Sequence, residues 1–167
     1  MSVKKILTEP NKLLRQVSKA VDRVGNEERN LMDDMLDTMY AAPGIGLAAI
    51  QIGVPKRIIV MDISRDENKK EPRYFVNPVI KNKNEEKAKY EEGCLSVPDQ
   101  FAEIERPNTC EVEYLDYNGK KQILKADGLL ATCIQHEIDH LEGVLFIDYL
   151  SKLKKSMIIK KLSKIKV

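Results

Sequence analysis

Hydrophobic residues recur at helical spacing early in the chain, within the segment NEERNLMDDMLDTMY, residues 26–40. One face of such a helix collects Leu31, Met32, Met35, Leu36, Met39 and Tyr40. Asn26 stands at the start and is a residue type that caps helices, and Pro43 with Gly44 supplies a stop signal. The pattern predicts an amphipathic helix that buries its apolar face.

Patterns typical of strands follow this helix. The predicted strands are RIIVMDI at 57–63, YFVNPVI at 74–80, and an alternating segment at 109–116 that returns at 121–126. In the alternating segment, Cys110, Val112 and Tyr114 share one face, and Asn118-Gly119 predicts a tight hairpin. The charged stretches SRDENKKEP and KNKNEEK predict loops.

Two helices are predicted in the last third of the chain. The first has Asp127 as N-cap and Gly143 as its stop, and the second begins near Ser151 as an amphipathic helix. The apolar stripe of the second comprises Leu150, Leu153, Met157, Leu162 and Ile165. A hairpin-like run of strands followed by the most clearly predicted helix favours an α+β fold. The absence of a linker or repeat predicts one domain, 1–167, with 151–167 as its C-terminal helix.

The net charge of the chain limits the kinds of molecule that it can be expected to bind. The net charge is only +2, so the chain is not a nucleic-acid-binding polycation, and we expect no DNA partner. Residues 151–167 hold seven lysines and no acid, which leaves 21 basic and 26 acidic residues elsewhere, a body of about −5. No apolar run has signal or membrane-spanning length. These features, with three cysteines that suit no disulfide framework, predict a reduced, cytoplasmic protein away from membranes.

Both histidines of the chain lie in one stretch, CIQHEIDHLEG at 133–143. His136 and His140 are stacked neighbours on a helix and can share a metal ion. Glu137 lies beside them, close enough to reach a metal-bound water as a base, which is the HExxH arrangement of metallohydrolases. The competing interpretation is a helix whose two surface histidines bind nothing.

The third ligand can be sought by elimination. A longer zinc-protease pattern would place a histidine where Phe146 stands, and the last acid of the chain is Asp148. Cys133 lies seven residues before His140, a rise of ~10 Å that one ion cannot comfortably bridge. Cys110 belongs to the inward alternation of its strand. Cys94, in the irregular segment EEGCLSVP, is therefore the predicted third ligand.

The segment GIGLAAIQIG at 44–53 fits the GxGxxA fingerprint of dinucleotide sites. That motif should follow a strand, whereas here it follows a predicted helix, so we reject a nucleotide site. Gln51 interrupts the apolar run. It is either a structural polar residue at a strand edge or an amide donor aimed at a developing oxyanion.

The three segments together, GIGLAAIQIG, EGCLS and QHEIDHLEG in this order, resemble the peptide deformylase family over essentially the whole chain. The resemblance implies hydrolysis of the formyl group from the N-terminal formylmethionine of new proteins, with release of formate. It implies Fe²⁺ as the usual native metal, with Zn²⁺ or Ni²⁺ also able to occupy the site. It also implies antiparallel sheets around a central metal-binding helix.

The resemblance assigns roles to individual residues. It implies that Cys94, His136 and His140 are the metal ligands, Glu137 the general acid/base, and Gln51 with the backbone N–H of Leu95 the oxyanion donors. Ile45, Gly46 and Gly93 match positions that bind the peptide backbone, and Leu129 and Cys133 match the methionine pocket. Phe101 departs from the family, where a basic residue is frequent. Family members dock on ribosomes through a C-terminal helix, which suggests that role for the basic tail.

Two other functions compete with deformylation. One is an HExxH peptidase that cuts internal peptide bonds, which the lack of a downstream third ligand disfavours. The other is a non-catalytic protein, associated with ribosomes or RNA, whose metal is structural. A closed structural site needs a fourth protein ligand, and the sequence offers none beside Glu137.

Overall fold

The computed structural model describes residues 2–64 and 66–165. Its α-helices are α1 (Asn26–Ala41), α2 (Gly128–Leu141) and α3 (Lys152–Ile165). Its strands are β1 (Gly46–Ala48), β2 (Ile58–Met61), β3 (Arg73–Lys83), β4 (Lys87–Cys94), β5 (Val97–Pro107), β6 (Thr109–Leu115) and β7 (Lys121–Asp127). Short 3₁₀ helices cover Lys12–Arg15, Ala49–Ile52 and Phe146–Tyr149.

The strands form two antiparallel sheets. One has five strands in the order β1-β2-β3-β6-β7, and the other is the β4-β5 pair. The helix α2 packs its apolar residues, including Ile134 and Leu141, on the five-stranded sheet. The α+β prediction with a central histidine-bearing helix is confirmed. Among the described residues, no helix is long and apolar enough to cross a membrane.

The sequence of β2 is a continuous apolar run because both faces of this strand are buried. Ile58 and Val60 face α1, whereas Ile59 and Met61 face the core shared with α2. All four side chains are fully buried. A strand covered on both faces loses the alternation of a half-exposed strand, and it anchors β1, which pairs with it and leads into the functional site.

The helix α1 forms as predicted, but its cap is different. Gly25, not Asn26, is the N-cap, and Asn26 is the first helical residue. The Glu28 carboxylate accepts a hydrogen bond of 2.8 Å from the Gly25 backbone N–H, which is the returning half of a capping box. The predicted apolar face is buried through Met32, Met35 and Met39.

The sequence interpretation missed the β4-β5 pair. The segment KNKNEEK is not a loop, because β3 extends to Lys83 and β4 begins at Lys87. Cys94 is likewise not in an irregular segment; it ends β4, and a turn leads directly into β5. Charged residues fill the exposed face of this pair, so the alternation of apolar and polar residues that marks a strand is weak there.

The helix α3 begins close to the predicted position, but its predicted apolar stripe is correct only in part, at Leu150 and Leu162. Leu153 and Met157 are 72% and 50% exposed, whereas Leu162 is buried. Ile158 and Ile159, which were not assigned, pack with Leu162 on the core beside β5. The side chain of Ile165 and all of Lys166 and Val167 lie outside the described residues.

Candidate metal centre

Three predicted ligands converge at the middle of the molecule. The helix α2 carries His136 and His140 one turn apart, both buried. The end of β4 brings the Cys94 sulfur to 3.3 Å from Nε2 of His140. One donor atom from each of the three residues lies within 4.8 Å of the others. This is a spacing that one metal ion can bridge, since metal–ligand bonds of about 2.0–2.3 Å put ligand atoms about 3–4 Å apart.

The other two cysteines lie elsewhere. Cys110 is buried in the core between the five-stranded sheet and α2, and burial raises the pKa of its thiol. Cys133 lies one turn before Glu137 on α2, and its sulfur would be 3.1 Å from a Cβ added at Gly46. It therefore faces the cleft described below and is not part of the three-residue cluster.

A buried network holds the imidazole of His136. Its Nδ1 lies 3.0 Å from Oε1 of Glu92, which leaves Nε2 for a metal. Arg106 donates to both carboxylate oxygens of Glu92, at 2.7 and 3.0 Å, and to Asp139 at 2.8 Å. The Tyr149 hydroxyl donates to the same Asp139 oxygen at 2.7 Å. Such partners orient a ligand histidine and fix which nitrogen is free.

Sequence reasoning missed this network. Glu92 and Arg106 are fourteen residues apart on β4 and β5, and the only local signal is that Glu92 stands two residues before Cys94. Finding the pair requires the strand register, because buried charges have no hydrophobic pattern that would mark them.

Glu137 lies in the cleft with one oxygen free. Its Oε1 is buried and has no hydrogen-bond partner among the described residues. Burial raises the pKa of the Glu137 carboxyl to about 7; the charges of His136 and Arg106 oppose this rise, and those of Glu92 and Asp139 add to it. A carboxyl near neutrality can both accept and return a proton.

The two histidines differ in their charge preference. Burial lowers the pKa of His140 well below its ordinary value and keeps it in the neutral form that binds metals. Burial also opposes charge on His136, but its hydrogen bonds to Cys94 and Glu92 outweigh burial and raise the pKa of His136 well above its ordinary value. A metal that binds Nε2 of His136 must therefore displace a proton.

Gln51 is buried in the 3₁₀ helix after β1, not at a strand edge. Its Oε1 accepts a hydrogen bond from the Ala48 N–H at 2.9 Å, which fixes the orientation of the amide. Its Nε2 then points to Ser96 Oγ at 3.0 Å and to the Cys94 sulfur at 3.6 Å. The NH₂ group is thus held beside the ligand cluster, where a donor to an oxyanion is needed.

A cleft of about 590 Å³ opens onto this cluster. All the remaining predicted site residues line it: Ile45, Gly46, Gly93, Leu95, Leu129 and Cys133. A side chain at Gly46 would displace the Glu137 carboxylate, because an added Cβ would lie 2.5 Å from Oε2 of Glu137. Cleft residues that were not predicted as site residues include Tyr90, Glu91, Asp99 and Thr132.

The donor set fits a catalytic transition metal. One thiolate and two imidazoles are borderline-soft ligands that suit Zn²⁺, Fe²⁺ and Ni²⁺ better than Mg²⁺ or Ca²⁺. The cluster of metal-binding side chains in the described residues offers three ligands, one fewer than a closed tetrahedral site requires. Glu137 lines the cleft beside this cluster, so the arrangement suits an open site with room for water or substrate.

Comparison with known proteins identifies the family. The family model described as polypeptide deformylase matches residues 3–156. The chain belongs to the polypeptide deformylase family. It is 91% identical to the peptide deformylase of Pelagibacter ubique over 166 residues, which is 99% of this chain and 96% of that protein. It is 56% identical to the peptide deformylase of Rhizobium meliloti, over 98% of this chain and 94% of that protein.

Solved deformylase structures share the fold. The crystal structure of peptide deformylase from Ehrlichia chaffeensis has a TM-score of 0.94 and 46% identity, over 99% of this chain and 98% of that one. A second structure, of the same organism's enzyme in complex with actinonin, has a TM-score of 0.94 and 49% identity, over 99% of each chain. This deformylase is a metal-dependent hydrolase that removes the formyl group from the N-terminal formylmethionine of new proteins.

Proposed function

We propose that this deformylase binds one divalent metal through the sulfur of Cys94 and the Nε2 atoms of His136 and His140. Fe²⁺ is the proposed native ion, with Zn²⁺ or Ni²⁺ able to take its place, as in the family that the sequence resembles. The convergence of these three side chains, of which Cys94 and His136 line the cleft, carries the proposal. When bound, the metal supplies Lewis acidity toward water and toward the formyl oxygen.

Glu137 is the proposed general acid and base. Its side chain lines the cleft, and its Oε1 has no hydrogen-bond partner among the described residues, so the carboxylate can accept a proton from the attacking water. The same carboxyl then delivers that proton to the departing amine, so that formate and a free N-terminus are released. Its pKa of about 7 suits both halves of this transfer at neutral pH.

Gln51 and Leu95 are the proposed donors to the oxyanion. The Gln51 amide is held by Ala48, so its NH₂ group does not reorganise as charge develops on the formyl oxygen. Leu95 follows the ligand Cys94 in the turn between β4 and β5, and it lines the cleft. Its backbone N–H is the second proposed donor.

The substrate is proposed to bind as an extended strand. Ile45 just before β1, Gly46 at its start and Gly93 near the end of β4 place backbone along two walls of the cleft. Backbone pairing along such an edge binds a peptide whatever its sequence. Leu129 and Cys133 on α2 provide the apolar floor for the methionine side chain.

We also propose that the chain acts as one catalytic unit, 1–167, in the cytoplasm, where its substrates emerge from ribosomes. Among the described lysines of the tail, the exposed ones are Lys152, Lys154, Lys160, Lys161 and Lys164. These exposed lysines on α3 suit contact with the phosphates of ribosomal RNA. Docking there would bring the enzyme to nascent chains.

Formate release tests the proposed reaction. The purified protein is loaded anaerobically with Fe²⁺, Ni²⁺ or Zn²⁺ and given formyl-Met-Ala-Ser, unformylated Met-Ala-Ser, or a longer peptide with internal bonds. We expect stoichiometric formate from the first substrate only, and no new internal ends. Internal cleavage without formate would favour the peptidase alternative, and no reaction with any loaded metal would contradict the mechanism.

A further inference from the structure

The exposed face of the β4-β5 pair forms the outer wall of the cleft. Side chains alternate along a strand, so Glu91 and Gly93 share this face of β4. On β5 the same face carries Phe101 and Glu103, and Glu91 lies directly opposite Glu103 in the strand register. The other face carries the buried Glu92 of the metal-centre network.

Phe101 is an exposed aromatic ring inside a substrate cleft. It is 65% exposed and lines the same cleft as the metal cluster. Its ring fills the space above Gly93, because a Cβ added at Gly93 would lie 2.5 Å from the ring carbon Cε1. The ring therefore lies beside the backbone that the substrate is proposed to follow, with most of its surface open to a ligand.

The acids around this ring form no ion pair within the described part of the chain. Glu91 and Glu103 are exposed like charges in directly opposite positions, an arrangement that destabilises a strand pair. Neither of them, nor Asp99 at the cleft, forms an ion pair among the described residues. The described residues that line the cleft include no lysine or arginine. The nearest cation on this face is Lys89, which pairs in register with Glu105 and lies outside the cleft, so a cation at the ring itself can be supplied by the substrate.

In an extended peptide, successive side chains point to opposite sides, and this determines which substrate residue contacts the exposed face of the β4-β5 pair. The methionine side chain points to Leu129 and Cys133 on α2, on the inner side of the cleft. The next side chain of an extended chain points the opposite way. The residue that follows formylmethionine is thus directed to the outer wall, toward Phe101 and Glu91.

We infer that Phe101, together with Glu91 and Glu103, is a specificity-determining residue that selects lysine or arginine immediately after formylmethionine. The apolar stem of such a side chain packs on the ring, and its charge interacts with the ring face and the two carboxylates. An acidic residue in this position is repelled. The inference rests on the proposed function, since it takes the binding direction of the peptide from it.

A peptide series tests the inference. The specificity constant kcat/KM is measured for formyl-Met-Lys-Ser, formyl-Met-Gln-Ser and formyl-Met-Glu-Ser on the same metal-loaded enzyme. We expect the lysine peptide to exceed the glutamine peptide by about 3-fold and the glutamate peptide by about 10-fold, the size of an exposed cation–π contact plus surface charge interactions. The preference over glutamate should shrink as salt rises, because exposed charges are screened.

Two substitutions assign the preference to its residues. Phe101→Leu keeps an apolar side chain but removes the aromatic face, and Glu91→Gln removes one charge at almost constant shape. Each should reduce the lysine-to-glutamate ratio by about 2- to 5-fold. Glu85→Gln is the matched control, since it also removes one exposed acid. Glu85 precedes the start of β4 and lies outside the cleft, so this change should leave the ratio unchanged.

The outcomes separate the two proposals. A wild-type ratio near one, with formate released from all three peptides, would overturn the inference and leave the deformylase mechanism standing. A wild-type preference that neither Phe101→Leu nor Glu91→Gln changes would also overturn it. If no formyl peptide released formate, the proposed mechanism itself would fail, and the inference would fail with it.

Discussion

At the scale of single residues, the metal centre depends on which sulfur reaches the histidines. The Cys94 sulfur lies 3.3 Å from His140, while Cys110 is in the core. We therefore expect Cys94→Ala to lose tight metal binding, because two imidazoles alone hold a divalent ion weakly. Metal content after dialysis measures this, with Cys110→Ala as the control that keeps its metal. Stoichiometric metal in Cys94→Ala would exclude Cys94 as a ligand.

Glu137 offers a test that separates proton transfer from metal binding. The variant Glu137→Gln keeps the size of the side chain, but an amide cannot accept and return a proton. We expect it to retain metal and lose turnover by at least about 10²-fold. Metal analysis and formate release on the same sample make the comparison. Turnover like that of the wild-type enzyme would remove Glu137 from the mechanism.

The sequence predicts the ligand cluster but not the charges behind it. Cys94, His136 and His140 can be found because helical spacing and coordination geometry eliminate the other candidates. The Glu92–Arg106 pair has no comparable signal, since its members meet only through the register of a hairpin. The register depends on how two strands pair with each other, and no local pattern in the sequence predicts it.

At the scale of elements, the strength of the hydrophobic pattern decides what the sequence predicts. Both faces of β2 are buried, and its four-residue apolar run is found directly. The β4-β5 pair exposes a charged face and is missed, although it carries Cys94. A strand whose exposed face is rich in charge resembles a loop when its sequence is considered alone.

The helix α3 shows a different reason for a wrong prediction. Its sequence has hydrophobic residues on more than one side, so several apolar stripes are possible. Leu153 and Met157 lie on the exposed side, whereas Ile158, Ile159 and Leu162 pack together against the core. Only the tertiary contacts select the buried side, and the sequence of the helix does not contain them.

Asp148 connects the N-terminal segment to α3 and makes stability depend on pH. It accepts hydrogen bonds from Arg15 at 2.6 Å and from the Leu145 N–H at 3.1 Å, and it pairs with Lys155 at 2.8 Å. Burial opposes its charge, but the contacts with Lys155 and Arg15 outweigh burial and lower the pKa of Asp148. Its contribution is therefore complete above the unfolded-state pKa of about 4 and is lost as pH falls through the lower folded-state value.

We expect Asp148→Asn to lower the free energy of unfolding by about 1–3 kcal/mol at pH 7, because the amide keeps the shape but loses the charge that two cations contact. Denaturant unfolding of both proteins at pH 7 and pH 3 measures the difference, which should become smaller at the lower pH. Glu85→Gln, an exposed charge change without an ion pair among the described residues, serves as the control. A difference that is equal at both pH values would show that the charge of Asp148 does not contribute.

At the scale of the whole molecule, the charge of the tail contrasts with that of the body. Removing α3 would be a poor test of ribosome docking, because buried Leu162 and its neighbours pack on the core. Replacing the exposed lysines keeps the packing and removes only the charge. The residues to change to glutamine are Lys152, Lys154, Lys160, Lys161 and Lys164, while Lys155 stays to preserve its pair with Asp148.

We expect this five-lysine variant to release formate from a short formyl peptide at the wild-type rate but to co-sediment less with ribosomes at low salt. Each lysine that contacts a phosphate releases counterions on binding, so the salt slope should fall by roughly one for each such contact that is lost. The matched control changes five exposed lysines of the body: Lys83, Lys87, Lys89, Lys120 and Lys121. If the enzyme docks through α3, only the tail variant should lose ribosome binding. Equal sedimentation of the two variants would refute this docking and show that binding depends only on the net charge of the protein.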